Sequence, residues 1–178
     1  PKTFRDYNRV ASFFTRGCNA ASPTQYGSTV AIGNVVVSPS EFMPRLFAEN
    51  GRLLDSQGRI TLDTPEALRA LENYRETYSY SDRTIYDFWK NALEGFADGT
   101  AAMTVVFINY ASHILNSQMS RIAGKLGFAP VPGGKPLLGG GVIGIAQSCT
   151  CPAAACKFLE WLYADLVAPV FTMLGGLS

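Results

Sequence analysis

Histidine is almost absent from this chain, which has His113 and no other among its 178 residues. A Ser/His/Asp or Cys/His set needs an imidazole beside its nucleophile, and a metal site of histidine and cysteine needs several such side chains. The glycines form neither a Walker sequence nor a G-x-G-x-x-G that follows a strand. We therefore expect no catalytic residues, no cofactor and no metal site. An enzyme whose catalytic half lies outside this chain is a third alternative, and the single histidine counts against it.

Charged side chains are also scarce. They make up 16% of the residues, and the net charge is +1, with acidic and basic residues mixed along the chain. The sequence has no basic stripe of the kind that binds nucleic acid. It also has no apolar run near the roughly 18 residues of a membrane helix. Because 47% of the residues are hydrophobic, the chain can fill a core, and we expect a folded domain that does not contact nucleic acid.

The cysteines are few, and their spacing fits no known framework. There are four, and Cys149 and Cys151 are too close in sequence for an easy bridge. A C-x-C with one distant cysteine is not a zinc spacing, and a core of this size does not need disulfides. We therefore predict free thiols, which favours a reducing compartment.

Local signals divide the chain into helices that alternate with short strands. Helices are predicted to begin where a capping residue or a proline precedes an apolar face, namely at Thr3 with Asp6, at Ser38 with Glu41, at Asp63 or Thr64, and at Pro152. Strands are predicted at "STVAIG", "AAMTVVF", "LGFAPVP" and "GVIGIAQ", with a hairpin at "RLLDSQGRITLD". This alternation predicts an α/β fold with a mixed, mostly parallel sheet flanked by helices.

Apolar stripes at helical spacing predict which side of each helix is buried. The expected core positions, taken helix by helix, are Phe4, Tyr7, Val10, Ala11 and Phe14; Phe42, Met43, Leu46 and Phe47; Ala67, Leu71, Tyr74 and Tyr78; and Ala155, Phe158, Leu159, Leu162 and Leu166.

Four longer motifs then occur in a recognisable order. They are "PKTFRDYNRVASFF", "LFAENGRLLDSQGRITLDTPEALRALENYRETY", "FADGTAAMTVVFINYA", and "GFAPVPGG" followed by "GGGVIGI" and "AAACKFLEWL". In this order and spacing the chain resembles the extracellular solute-binding proteins of ABC importers, in the group that includes maltose-binding proteins.

The resemblance implies a periplasmic-binding-protein fold of type II, in which two α/β lobes close on a ligand. Residues 1–142 would form the second lobe, and residues 143–178 would cross back toward the first. On this view the chain is a fragment that begins just after the first crossover, and its apolar helix face after residue 142 would need a cover. Pairing with a second copy, as a homodimer, is one way to supply it.

Ligand contacts are expected beyond the carboxyl ends of the strands. The candidates are Phe107, Asn109 and Tyr110 after "AAMTVVF", and Asn34, Ser40 and Glu41 after "TVAIG". Members of the family often carry a tryptophan at the first of these places, and "FINY" stands there instead. Structural alternatives are a core position for Phe107, a helix N-cap for Asn109, an exposed helix position for Ser40 and a capping box with Ser38 for Glu41.

The run Gly139 to Gly141 precedes the "VIGI" segment, where the resemblance puts the passage from one lobe to the other. Glycine absorbs the φ/ψ change of a hinge without a Cβ clash. Gly140 and Gly141 would also leave backbone N–H groups open to a ligand. The alternative is a tight turn without a functional role.

The resemblance implies a protein that binds a small polar solute, a sugar or oligosaccharide, and delivers it to an ABC permease. Such a protein is extracytoplasmic and anchored to the membrane. The alternative is the ligand-sensing domain of a cytoplasmic transcription regulator with the same binding fold, which the predicted free cysteines would suit.

Overall fold

The structure is a computed structural model that describes residues 1–32, 37–84, 89–139 and 142–174, with only the backbone described at 89–91. Its elements in chain order are α1 (Phe4–Phe13), β1 (Tyr26–Ser28), α2 (Val37–Ala48), α3 (Pro65–Ser79), α4 (Trp89–Ala97), β2 (Ala101–Met103), α5 (Ala111–Leu115), α6 (Pro152–Leu162) and α7 (Ala168–Met173), with 3₁₀ turns at Ile108–Tyr110 and Pro132–Gly134.

The predicted helix starts at Thr3 and Thr64 are confirmed. The Thr3 hydroxyl accepts a hydrogen bond from the Asp6 N–H at 3.1 Å, and the Thr64 hydroxyl accepts one from Ala67 at 3.3 Å. Each bond satisfies a donor that the first helical turn would otherwise leave without a partner. The predicted cap at Ser38 is wrong, because Ser38 lies within α2.

The two strands are parallel and pair Tyr26 with Ala101 and Ser28 with Met103. The pairing continues past their ends, where the Thr29 N–H donates to the Met103 carbonyl at 3.0 Å. Helix α1 packs on β1, and the Tyr7 hydroxyl shares a 2.7 Å hydrogen bond with Ser28. Because the strands are parallel, their carboxyl ends meet at one edge of the sheet, as the α/β prediction requires.

Several predicted strands are wrong. Among the described residues of "STVAIG" only Ser28 belongs to a strand, and the described residues of "LGFAPVP" and "GVIGIAQ" belong to none. Phe128 is 64% exposed and Val142 is fully exposed. Apolar runs of this length become strands only beside another strand, and among the described residues neither run has one. The predicted hairpin is confirmed by an antiparallel bridge between Leu54 and Ile60.

The core forms around α1, α2 and α3, and part of the predicted packing is corrected. In α2 the buried side consists of Val37, Glu41, Pro44, Arg45 and Leu46. Phe42, Met43 and Phe47 are partly exposed instead. In α3, Ala67 and Tyr74 are buried as predicted, but Leu71 is 55% exposed. The side of α2 that faces the core therefore carries an acidic and a basic residue.

Helices α6 and α7 lie on the outside of the described structure. Neither has a buried residue, so the predicted core face of α6 is wrong for this chain. Phe158 and Trp161 are each more than half exposed, and their rings lie 5.8 Å apart. Across the described ranges, no helix combines the length and the apolar character needed to cross a bilayer.

Candidate functional site

The carboxyl edge of the sheet brings together the segments that follow β1 and β2. Ala31, three residues after β1, forms a buried cluster with Val37 and Ala92. Phe107 and Tyr110, from the segment after β2, pack against that cluster and remain partly exposed. Phe107 and Tyr110, the predicted ligand residues that follow β2, thus lie beside Ala31. Ala31 belongs to the segment that follows β1 and leads to the other predicted ligand residues.

Gly139, the first glycine of the predicted hinge run, reaches the same edge. A Cβ placed on Gly139 would stand 2.6 Å from Cε1 of Phe107, so the backbone at Gly139 lies directly against that ring. Gly140, Gly141 and Asn34, which are also predicted ligand residues, lie outside the described residues.

The residues after Phe107 form a 3₁₀ turn. The Tyr110 N–H donates to the Phe107 carbonyl at 3.0 Å, and the Ser112 hydroxyl donates to the Asn109 carbonyl at 3.2 Å. Asn109 is within this turn and does not cap α5, which corrects the structural alternative for it. Partial burial raises the pKa of Tyr110. A neutral tyrosine hydroxyl can both donate and accept hydrogen bonds.

Ser40 and Glu41 occupy different environments in α2. Ser40 is half-buried. Glu41 is 4% exposed, and its carboxylate accepts the Ala31 N–H at 3.1 Å and the Arg45 guanidinium at 3.0 Å. Burial raises the pKa of Glu41, and the Arg45 charge and the Ala31 N–H oppose that shift. The Glu41 carboxylate therefore bonds within the lobe instead of forming the expected capping box with Ser38.

Sequence reasoning missed Arg45, which is 2% exposed. Its guanidinium carbon lies 4.6 Å from the ring centre of Phe4 and 5.1 Å from that of Tyr74. It also donates to the Thr77 hydroxyl at 3.3 Å. The spacing of Glu41 and Arg45, four residues apart on one helix, was the available signal for this ion pair.

A shallow, open depression of about 380 Å³ lies near the other end of α2, lined by Phe47, Asn50, Gly51, Arg52 and Lys135. It includes none of the predicted ligand residues. We place the candidate site at the carboxyl edge because that is where parallel sheets present their loops to ligands.

The described residues contain neither a metal-binding cluster nor a disulfide. Within those residues, no group of three or more His, Cys, Asp or Glu side chains could hold a metal ion. Cys18, Cys149, Cys151 and Cys156 are free thiols.

Residues 41–165 match the family model described as bacterial extracellular solute-binding protein. That range covers well over half of the chain. This chain belongs to the bacterial extracellular solute-binding protein family. It is also 27% identical over 97 residues to a putative ABC transporter periplasmic-binding protein, YcjN, of Escherichia coli K12, a stretch that covers 54% of this chain and 21% of YcjN.

Solved structures of solute-binding proteins share the fold. A ribitol complex from Agrobacterium radiobacter K84 is 25% identical with a TM-score of 0.81, over 99% of this chain and 45% of that one. Maltose-bound MalE3 of T. maritima is 23% identical with a TM-score of 0.82, and the match covers 100% of this chain and 47% of MalE3. A D-mannitol complex from Agrobacterium vitis S4 is 18% identical with a TM-score of 0.74, and the match covers 96% of this chain and 42% of that one. The present chain thus spans less than half the length of these relatives.

Membership of the family has two direct consequences. Its proteins bind solutes and are not enzymes, which agrees with the lack of a catalytic set in the sequence. The family and the periplasmic relative also indicate an extracytoplasmic location. The free cysteines therefore do not mark a reducing compartment, and that inference from the sequence is corrected.

Proposed function

We propose that this solute-binding chain forms, over residues 1–142, the second lobe of a two-lobed receptor for a sugar or sugar alcohol. Residues 143–178 cross back toward the first lobe. The observation that carries the proposal is the meeting of Phe107, Tyr110 and Gly139 at the carboxyl edge of the sheet. The class of solute is suggested by the relatives, whose structures contain ribitol, maltose and D-mannitol.

The proposed site suits a polyhydroxyl ligand. The faces of Phe107 and Tyr110 can cover the apolar C–H surface of a sugar, while hydroxyl and amide groups bond to its hydroxyls. Ser40, Asn109 and the Tyr110 hydroxyl supply such groups in the described part. Asn34, Gly140 and Gly141 complete the proposed contacts.

The receptor performs no chemistry on its ligand. Affinity arises because the solute contacts both lobes and so favours the closed arrangement over the open one. The glycines at 139–141 would absorb the change in backbone angles between the open and the closed arrangement. The whole protein, anchored at the membrane, would then pass the solute to an ABC permease.

The test uses the complete gene product that contains this chain. Calorimetry with maltose, ribitol and D-mannitol should give saturable binding to at least one of them, and X-ray scattering should show compaction when it binds. Phe107→Ala and Tyr110→Ala should each weaken that binding about tenfold, because both remove a ring from the proposed contact surface.

The matched control is Phe13→Ala, which removes an exposed phenylalanine from the end of α1. It should leave the dissociation constant within twofold of wild type. Binding without compaction, or equal losses in all three variants, would contradict the proposed site.

A further inference from the structure

Ala31 is bonded to side chains through both of its backbone polar groups. Its N–H donates to the Glu41 carboxylate at 3.1 Å, and its carbonyl accepts the Tyr74 hydroxyl at 3.2 Å. Ala31 lies beyond the end of β1, and its carbonyl and N–H would otherwise be buried without strand partners. Buried backbone groups are costly to leave unbonded. Two helices, α2 and α3, therefore supply the bonds that the short sheet does not.

Arg45 contacts both Glu41 and Tyr74. The guanidinium bonds to the Glu41 carboxylate and lies against the Tyr74 ring, 5.1 Å from its centre. The position of Arg45 is set in turn by Phe4 and by Thr77, whose hydroxyl donates to Asn8 at 2.6 Å. This buried network joins α1, α2 and α3 and ends at the backbone of Ala31.

Ala31 is the point where the network meets the proposed ligand edge. Its side chain is fully buried in the cluster against which Phe107 and Tyr110 pack. A shift of Ala31 would therefore move the surface that supports both rings. Protein interiors are close-packed, so they transmit a shift of one residue to its neighbours.

We infer that Glu41 and Tyr74 are positioning residues for solute binding, which fix Ala31 from both sides and so hold Phe107 and Tyr110 in place at the ligand edge. The inference deepens the proposed function and rests on it. It also gives Glu41 an indirect role, through Ala31, in place of the direct ligand contact expected from the sequence.

The test compares two deletions of a single buried hydroxyl in the complete gene product. Tyr74→Phe removes the donor to the Ala31 carbonyl, and Tyr7→Phe removes the bond to Ser28 within the same lobe. Both variants keep the ring and should fold. Amide exchange at Ala31, followed by NMR, should become about fivefold faster in Tyr74→Phe. Loss of the bond to the Ala31 carbonyl makes it easier for this segment to open and for its N–H to leave the Glu41 carboxylate. The exchange rate should be unchanged in Tyr7→Phe.

Solute affinity provides the second measurement, made well below the melting temperature of both variants. The dissociation constant for whichever of maltose, ribitol or D-mannitol binds the wild type should rise about fivefold in Tyr74→Phe and less than twofold in Tyr7→Phe. A purely structural role would lower the melting temperature of both and leave both affinities unchanged.

The role of Glu41 is tested by Glu41→Leu/Arg45→Met, which removes both charges together and so leaves no buried ion without a partner. Exchange at Ala31 should again be accelerated. If exchange at Ala31 matches wild type in this variant and in Tyr74→Phe, the inference is overturned. If the wild type binds none of the three solutes, the proposed function fails, and the exchange rates still decide whether Ala31 is held in this way.

Discussion

The backbone of Gly139 lies so close to the ring of Phe107 that a Cβ on this glycine would stand 2.6 Å from Cε1 and 3.1 Å from Cζ of the ring. Carbon atoms in contact normally lie about 3.5–4.0 Å apart. The place of the Phe107 ring at the candidate site therefore depends on the lack of a side chain at position 139. Gly139 and Phe107 are therefore in direct contact at the candidate site.

Gly139→Ala should displace the Phe107 ring and weaken solute binding by about fivefold to tenfold, because the added methyl group occupies the position of the ring edge. Calorimetry on the complete gene product measures the change. Gly127→Ala is the control, since a Cβ there would meet no atom within 4 Å. In a Phe107→Ala background the effect of Gly139→Ala should disappear, and additive losses would show that the two positions are not coupled.

Arg45→Met should lower the free energy of unfolding by about 3–5 kcal/mol near neutral pH, because it leaves the buried Glu41 carboxylate without its counter-charge. The loss should be smaller at mildly acidic pH, since burial already raises the pKa of Glu41 and protonation removes the stranded charge. Urea unfolding at both pH values provides the measurement.

Arg69→Met is the matched control for this prediction. Arg69 pairs with Glu49 at 2.8 Å and with Glu66 at 2.9 Å, but all three side chains are at least one-third exposed. Its loss should cost much less than the loss of Arg45, because solvent screens exposed ion pairs. If Arg45→Met and Arg69→Met lower the free energy of unfolding equally, the buried pair stabilises the fold no more than the exposed pairs do.

Alkaline pH should unfold the lobe in part through its buried tyrosines. Burial raises the pKa of Tyr74 from 10.0 to about 12, and burial also raises the pKa of Tyr7. The folded state favours the neutral phenols, so their contribution to stability is complete below the unfolded pKa of about 10 and is lost as the pH rises through the folded value.

The measurement for this prediction is the free energy of unfolding as a function of pH. It should fall for the wild type as the pH rises from 10 toward the pKa of about 12 for Tyr74, and Tyr74→Phe should show a shallower fall over the same range. Curves of the same slope would mean that the Tyr74 phenol does not contribute.

Trp161 should be shielded in the complete gene product and accessible in the present chain. It is 57% exposed here, and the proposed first lobe would cover the face of α6 that carries it. In a Trp89→Phe background Trp161 is the remaining one of the two tryptophans, so iodide quenching of fluorescence reports on it alone. Similar quenching in both proteins would contradict the proposed crossing of residues 143–178.

The helix starts at Thr3 and Thr64 could be predicted because their chemistry is local. Thr3 and Thr64 bond to N–H groups three residues away, and Gly99 takes a φ of +77° just after α4. Asn50 likewise takes a φ of 62° after α2. Each of these signals involves only the residues of one or two helical turns. The predicted cap at Ser38 failed, because Ser38 lies within α2 and the Glu41 carboxylate bonds to Ala31 and Arg45 instead.

Strands and buried faces were harder to predict because they depend on distant partners. The run at 126–132 has the apolar composition of a strand but no strand lies beside it in the described structure. The core-facing side of α2 was expected to follow its phenylalanines, and it follows the Glu41–Arg45 pair instead. Arg45 can be buried there only because Phe4 and Tyr74, on two other helices, enclose its guanidinium.

The order of motifs along the chain was sufficient to identify the family and the α/β class, because family motifs and helix caps are properties of contiguous residues. Only the tertiary structure decided that Ala31, Phe107 and Gly139 meet at one edge, and that Glu41 bonds beneath that edge. These residues are far apart in sequence, and their meeting depends on the parallel pairing of β1 and β2, which no local pattern specifies.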